Sequence, residues 1–268
     1  MRRLVLFVFV ISLIGSLNTL NAQDSPSAAS LYNDGMALMK EKNYKEGYPL
    51  LKEAITTADS TTENGQKVIR LAKKNGAIAA YYVGNDQRKN KSYEEAIETY
   101  SSGVSYNPGF YANYIGLAQA LEGKGDVKDA IDAYLNAGAA CEKADKADKA
   151  GKMYSKAQNL VAVSWGAKNW KDVETYANAY LGKKESNDVE YYLAYAMKES
   201  GQYEKAMEHI EKVITASGDS VDDKYLMVKA ETFEKMGNNE EAIGVYKQIK
   251  GEKYGERAAY KVNSLSGN

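Results

Sequence analysis

"NKSYEEAIETYSSGVSYNP" spans residues 90–108, and its spacing decides the fold. Tyr93, Ala96, Tyr100 and Gly103 follow one another at steps of three and four, which places them on one face of a helix, and Pro108 then ends the run because it cannot continue one. Nearly the same ladder returns as "GDVKDAIDAYLNAG" (125–138), "GQYEKAMEHIEKV" (201–213) and "GNNEEAIGVYKQI" (237–249). Two helices that cross closely need small residues where they touch, which is the role expected of Gly84 and Ala96. The wedge beside the crossing is filled by rings such as Tyr93 and Tyr100, each burying on the order of 200 Å². A lone helix pair cannot cover such a face, so neighbours must stack.

The punctuation along the chain agrees. Breaks fall at "EKNY" (41–44), "KNKSY" (89–93), "GKGD" (123–126), "AKNW" (167–170), "ESGQY" (199–203) and "KMGNN" (235–239), each between two helical patterns. With three prolines in 268 residues and almost no period-two alternation of β-branched residues, the chain reads as all-α. Aligned on the breaks, repeats lie near 28–61, 77–110, 111–144, 154–187, 187–220 and 223–256, and a helix over 252–265 with Tyr254, Ala258 and Val262 on one face is expected to shield the last of them.

This pattern resembles the tetratricopeptide repeat family over residues 28 to 256. The match is carried by Gly84, Tyr93, Ala96, Tyr100, Gly103 and Pro108 in the second repeat and by Tyr114, Leu117, Ala118, Val127, Ala130, Tyr134 and Ala137 in the third. Leu31, Gly35, Tyr44, Gly47, Leu51 and Ala54 carry it in the first, Leu193, Ala194, Tyr203 and Ala206 in the fifth, and Leu226, Ala230, Ala242 and Tyr246 in the sixth. The fourth departs most, with Val173 for the small residue and Ala177 for the aromatic. The implied fold is an α-solenoid of about six helix–turn–helix repeats with a C-terminal capping helix.

Two repeat-to-repeat steps are long, 49 residues from the first to the second and 43 from the third to the fourth. The first surplus is expected to be helical from about Thr61 towards Asn75, started by a capping box of Ser60 and Glu63 and free to run on through Gly76. The second is expected to be helix through most of 143–150. In that stretch Glu142–Lys146 and Asp145–Lys149 stand four apart with the acid first, the favourable order on an exposed helix.

Residues 1–22 read as a secretory signal peptide: a basic start, the apolar run "LVLFVFVISLI" (4–14), then small and polar residues up to Ala22. That run is too short for a membrane span, which needs roughly 20 apolar residues. Cleavage near Ala22-Gln23 leaves 33 basic against 36 acidic residues, a balance that gives nucleic acid no electrostatic foothold. The sole cysteine, Cys141, leaves no internal disulfide and no lipid-bearing cysteine after the signal. The expectation is an exported protein of the bacterial periplasm or outer-membrane surface, with no membrane span in its mature form.

Little in the sequence carries reaction chemistry. His209 is the only histidine and is expected on the surface; Cys141 reads as a small buried apolar residue. No cluster has metal-ligand spacing, no glycine-rich phosphate loop is present, and the carboxylates are expected on solvent faces beside lysines. No cofactor, metal or catalytic residue is therefore expected.

What the family resemblance implies is a concave groove lined by the first helix of each repeat, where polypeptides bind. Carried onto this sequence, the partner-binding residues are Tyr32, Met36, Met39, Tyr81, Asn85, Arg88, Gln119, Trp165, Tyr191, Tyr195 and Lys198. Aromatics and methionines among adaptable polar residues suit protein recognition, so the expected function is a non-catalytic scaffold or adaptor for a protein or peptide partner. The alternative is glycan binding through groove aromatics, with Trp165, Tyr191 and Tyr195 in question. A contiguous, exposed aromatic platform beside amides or carboxylates favours sugar, and aromatics separated across the groove favour polypeptide. Several basic residues clamping a C-terminal carboxylate are not expected.

Overall fold

The computed structural model describes residues 26–267; the signal peptide read over 1–22 lies outside them. Among the described residues there are thirteen helices and no strand. Six antiparallel pairs follow one another: α1 (Ala28–Lys40) with α2 (Tyr44–Thr57), α3 (Glu63–Lys89) with α4 (Tyr93–Tyr106), and α5 (Tyr111–Lys124) with α6 (Val127–Lys143). Then come α7 (Ala147–Gly166) with α8 (Trp170–Leu181), α9 (Asn187–Glu199) with α10 (Tyr203–Ser217), and α11 (Asp223–Met236) with α12 (Asn239–Tyr246). α13 (Glu252–Leu265) closes the stack.

Every pair turns in the same way. One residue after the first helix adopts a left-handed backbone, and the next N–H reaches back to a carbonyl five residues earlier. Lys42, Lys91, Gly125, Lys168, Gly201 and Gly237 hold the left-handed position, and the returning bonds include Ser92 N to Gln87 O at 2.9 Å and Gln202 N to Met197 O at 2.9 Å. The junction from α6 to α7 repeats the device, with Asp145 left-handed and Lys146 N donating to Cys141 O at 2.9 Å.

The ladder residues sit where the close-packing argument puts them. Ala96 and Ala118 are fully buried, and the ring of Tyr100 fills the space left by Gly84 and Gly116. The odd-numbered helices form the inner layer, since α1, α3 and α5 pack in succession, as do α7, α9, α11 and α13. Between α5 and α7 that layer is interrupted. The polar link there is Lys149 Nζ to the Tyr111 hydroxyl at 3.0 Å, while α6 packs on both α7 and α8.

The first surplus is continuous helix: α3 runs unbroken through Gly76 into the second repeat. Its cap is not the expected Ser60–Glu63 box. Thr62 is the N-cap, its hydroxyl accepting from Gly65 N at 3.1 Å, while Asp59 braces the turn from Thr61. The second surplus lengthens both α6 and α7, but residues 144–146 form the tight turn between them, so the two expected (i, i+4) ion pairs do not lie on one helix. Lys149 reaches Tyr111 instead.

α13 lays Tyr254, Ala258, Val262 and Leu265 over Met227, Ala230, Ala242 and Tyr246 of the sixth pair. Its outer side is mainly polar, apart from Tyr260. No described helix is long and apolar enough to cross a membrane.

Candidate functional site: the inner face

The break between α5 and α7 divides the expected groove residues into two groups. Tyr32, Met36, Met39, Tyr81, Asn85, Arg88 and Gln119 lie on α1, α3 and α5, and Trp165, Tyr191, Tyr195 and Lys198 on α7 and α9.

In the N-terminal group most side chains are half-buried and several are committed to structure. The Tyr32 hydroxyl accepts from Asn75 Nδ2 at 3.2 Å, and Asn85 Oδ1 accepts from the buried Tyr100 hydroxyl at 2.9 Å. Tyr81 stands edge-on to Phe110 at 5.9 Å and to Tyr82 at 5.3 Å. Arg88 Nε is buried without a hydrogen-bond partner. Met36, Met39 and Gln119 are half-buried on their helices.

The C-terminal group is gathered more tightly. Trp165 lies 6.0 Å from Tyr191, 5.2 Å from Tyr192 and 5.6 Å from Tyr195, and Trp170 lies 5.6 Å from Tyr195. These rings are tilted against one another by 37° to 78°, and Tyr191 is only 8 % exposed. The aromatics therefore make a packed cluster and not a flat platform. Beside it opens a cavity of about 170 Å³ whose walls include Trp165, Tyr195, Met227, Glu231, Tyr254 and Arg257, from α7, α9, α11 and α13. The indole N–H of Trp165 is buried with no partner.

Charge converges there in a way the sequence reading missed. Lys198 is 5 % exposed and is no free groove side chain: its ammonium pairs with Glu231 and with Glu199 at 3.0 Å, and lies 4.1 Å from the Tyr195 ring centre. Burial works against its charge, but the two carboxylates outweigh it and hold its pKa above the ordinary lysine value. Arg257 meets Glu231 at 2.5 Å, and Lys224 stands 3.4 Å from Asp188 and 5.3 Å from the Tyr191 ring centre. Burial also pushes the Tyr191 hydroxyl well up. Basic side chains thus do gather on this face, but each has an acidic partner.

Two further expectations need correction. His209 is half-buried, its Nδ1 lying 2.6 Å from Glu190 Oε2, and Glu190 is itself buried on α9 and also held by Lys212. The carboxylates are accordingly not all on solvent faces: Glu190 and Glu231 serve inside. Cys141 is buried as expected, and burial raises its thiol pKa. Among the described residues no group of three or more His, Cys, Asp or Glu could hold a metal ion. Position in the ladder could have pointed to Glu231, which shares its face with Lys198. Nothing in the repeat pattern pointed to Arg257, because α13 lies outside it.

Stacked helix pairs with small residues at each crossing, an inner layer of first helices and a closing helix define an α-solenoid of helical repeats. Residues 83–150 match the family model described as tetratricopeptide repeat, and residues 166–249 match that of anaphase-promoting complex, cyclosome, subunit 3. Residues 83–150 thus carry the tetratricopeptide-repeat match, inside an all-α solenoid of helical repeats. No curated protein matches it. Among solved structures it is similar to YrrB, a TPR protein with an unusual peptide-binding site, at 16 % identity over 73 % of this chain and 89 % of that one, with a TM-score of 0.35. It is also similar to a tetratricopeptide repeat protein from Parabacteroides merdae, at 14 % identity over 90 % of this chain and 99 % of that one, TM-score 0.36. The TPR2AB domain of yeast Sti1, in complex with pHSP90, aligns at 13 % identity over 89 % of this chain and 98 % of that one, TM-score 0.38.

Proposed function

We propose that this protein is a non-catalytic scaffold of the bacterial cell envelope that binds a polypeptide partner on its inner face. The observation that carries the reading is the cavity lined by four successive inner helices, where Trp165, Tyr195, Met227 and Tyr254 offer apolar surface. Its about 170 Å³ suits one bulky side chain of a partner, the kind of anchor on which interface affinity concentrates. The Glu231–Lys198–Arg257 network sets the rim in place before any partner arrives. Mutual tilting of the rings disfavours the flat stacking that a sugar would need at this position. The basic, short apolar N-terminus is the support for export.

The test has two arms. Intact mass of the exported protein should correspond to a chain starting at or near Gln23; retention of residues 1–22 would mean an anchor. Capture from envelope extract should yield a protein whose binding falls by at least about 1–2 kcal/mol with Tyr195→Ala. Undiminished binding would place the site elsewhere.

A further inference from the structure

A cleft of about 960 Å³, larger than the cavity on the C-terminal inner face, lies elsewhere among the described residues. It opens at the edge of the solenoid where the turns over 41–43 and 90–92 lie side by side, against the C-terminal half of α3, and α2 and α4 bound it. α2 and α4 both pack on α3 and meet each other through Tyr48 and Tyr106, which leaves this cleft beside that contact.

Tyr44 and Tyr82 stack face to face on its wall, 4.0 Å apart and 10° from parallel, and Tyr82 is 44 % exposed. Exposure of that extent is unusual here, where most tyrosines serve as wedges between helices. In this parallel stack the two inner faces cover each other and the outer ring face and edges are left for contact, in contrast to the mutually tilted rings around Trp165. Around it stand two neutral amides, Asn85, whose Oδ1 accepts from Tyr100, and Asn90, whose Nδ2 lies 3.5 Å from Asp86, and the amide oxygen of Gln87 in the cleft wall is buried without a partner. Lys42, Lys45 and Lys89 face the cleft against one carboxylate, Asp86, and none of the three is in an ion pair among the described residues.

We infer that this edge cleft is a binding site for an acidic oligosaccharide. Each part of the arrangement answers to a part of such a ligand. The outer face of Tyr82, backed by Tyr44, accepts the C–H face of a pyranose. The remaining amide groups, Asn85 Nδ2 to donate and Asn90 Oδ1 to accept, match hydroxyls, which do both. Three free ammonium groups over one carboxylate select a sugar that carries carboxylates over its neutral counterpart. The volume accommodates more than one sugar residue, as ligand clefts of several hundred Å³ do. The site is separate from the cavity beside Trp165 and does not rest on polypeptide binding there.

The experiment uses the mature chain, a short oligogalacturonate and the same oligomer fully methyl-esterified, which removes the charge and keeps the sugar. Calorimetry gives affinities, and saturation-transfer NMR identifies the sugar protons that face rings. The acidic oligomer should bind, the ester at least about fivefold more weakly, and Tyr82→Ala should lower affinity about tenfold. Lys89→Gln, on an exposed side chain, should narrow the gap between acid and ester without disturbing the fold. Trp165→Ala should leave sugar binding unchanged, so the two sites succeed or fail separately. Equal binding of acid and ester overturns the assignment of an acidic ligand. The inference falls if neither oligomer binds, if Tyr82→Ala and Lys89→Gln are both without effect, or if a polypeptide and not a sugar occupies the cleft.

Discussion

Gly116 on α5 lies flat against the ring of Tyr100 on α4: a β-carbon at Gly116 would stand 2.2 Å from the ring. Tyr100 has no room to yield, being fully buried with its hydroxyl tied to Asn85. Gly116→Ala should therefore destabilise the protein by about 3 kcal/mol, the upper range for overpacking a core. Thermal and urea denaturation check this. A loss below about 1 kcal/mol would mean that the helix crossing is looser than the geometry states.

Lys168 occupies the left-handed turn position that Gly125, Gly201 and Gly237 hold in other repeats. A side chain there costs about 1–2 kcal/mol of backbone energy, partly offset by the larger entropy that glycine loses on folding. Lys168→Gly is expected to raise stability by about 0.5–1 kcal/mol, and Gly237→Ala to lower it by about 1 kcal/mol. Urea midpoints of the two variants should move in opposite directions.

Alkaline pH should unfold the protein through its tyrosines. Burial, the leading cause in each case, raises the hydroxyls of Tyr48 and Tyr154 to about 12, and those of Tyr134, Tyr191 and Tyr246 are also well up. The unfolded chain loses these protons from about pH 10, while the folded chain keeps them. Stability is thus fully present below pH 10 and declines as pH rises towards 12 and beyond. Lys198, with a raised folded pKa, adds to the loss in the same direction once it deprotonates. Denaturant midpoints from pH 8 to pH 11.5, with tyrosinate absorbance followed in parallel, test the sign. A flat profile above pH 10 contradicts it.

Removing residues 252–267 should uncover Met227, Ala230, Ala242 and Tyr246. It also strips Arg257 from Glu231 and Lys261 from Glu234. An uncapped solenoid end is apolar and sticky, so the shortened chain should self-associate and melt earlier. Sedimentation and a thermal scan give the outcome; a monomer of unchanged stability would show that α13 is dispensable.

The helix pairs were legible because close crossings demand small residues and the wedges between repeats demand rings, and both signals recur at fixed spacing. All six turns between paired helices could be placed, but the left-handed residue within them is marked only where glycine holds it, at 125, 201 and 237, and not where Lys42, Lys91 or Lys168 does. Asp145 hid the α6–α7 turn for the same reason, aided by Glu142, Lys146 and Lys149, whose spacing mimicked an unbroken helix. In the candidate site the ring positions could be placed, but not how they pack against one another. Lys198 and Glu190 looked like solvent residues because only tertiary structure brings them the partners that make their burial tolerable.

The interruption between α5 and α7 changes which layer carries the packing from the third pair to the fourth. There α6 packs on both α7 and α8, and Lys149 of α7 reaches the Tyr111 hydroxyl of α5 on the inner side. One hydrophobic core nevertheless runs across that junction, from Ala118 and Leu121 on α5 through α6 to Ala157 and Val161 on α7 and Leu193 on α9, so a change in packing at the break reaches the repeats on both sides of it.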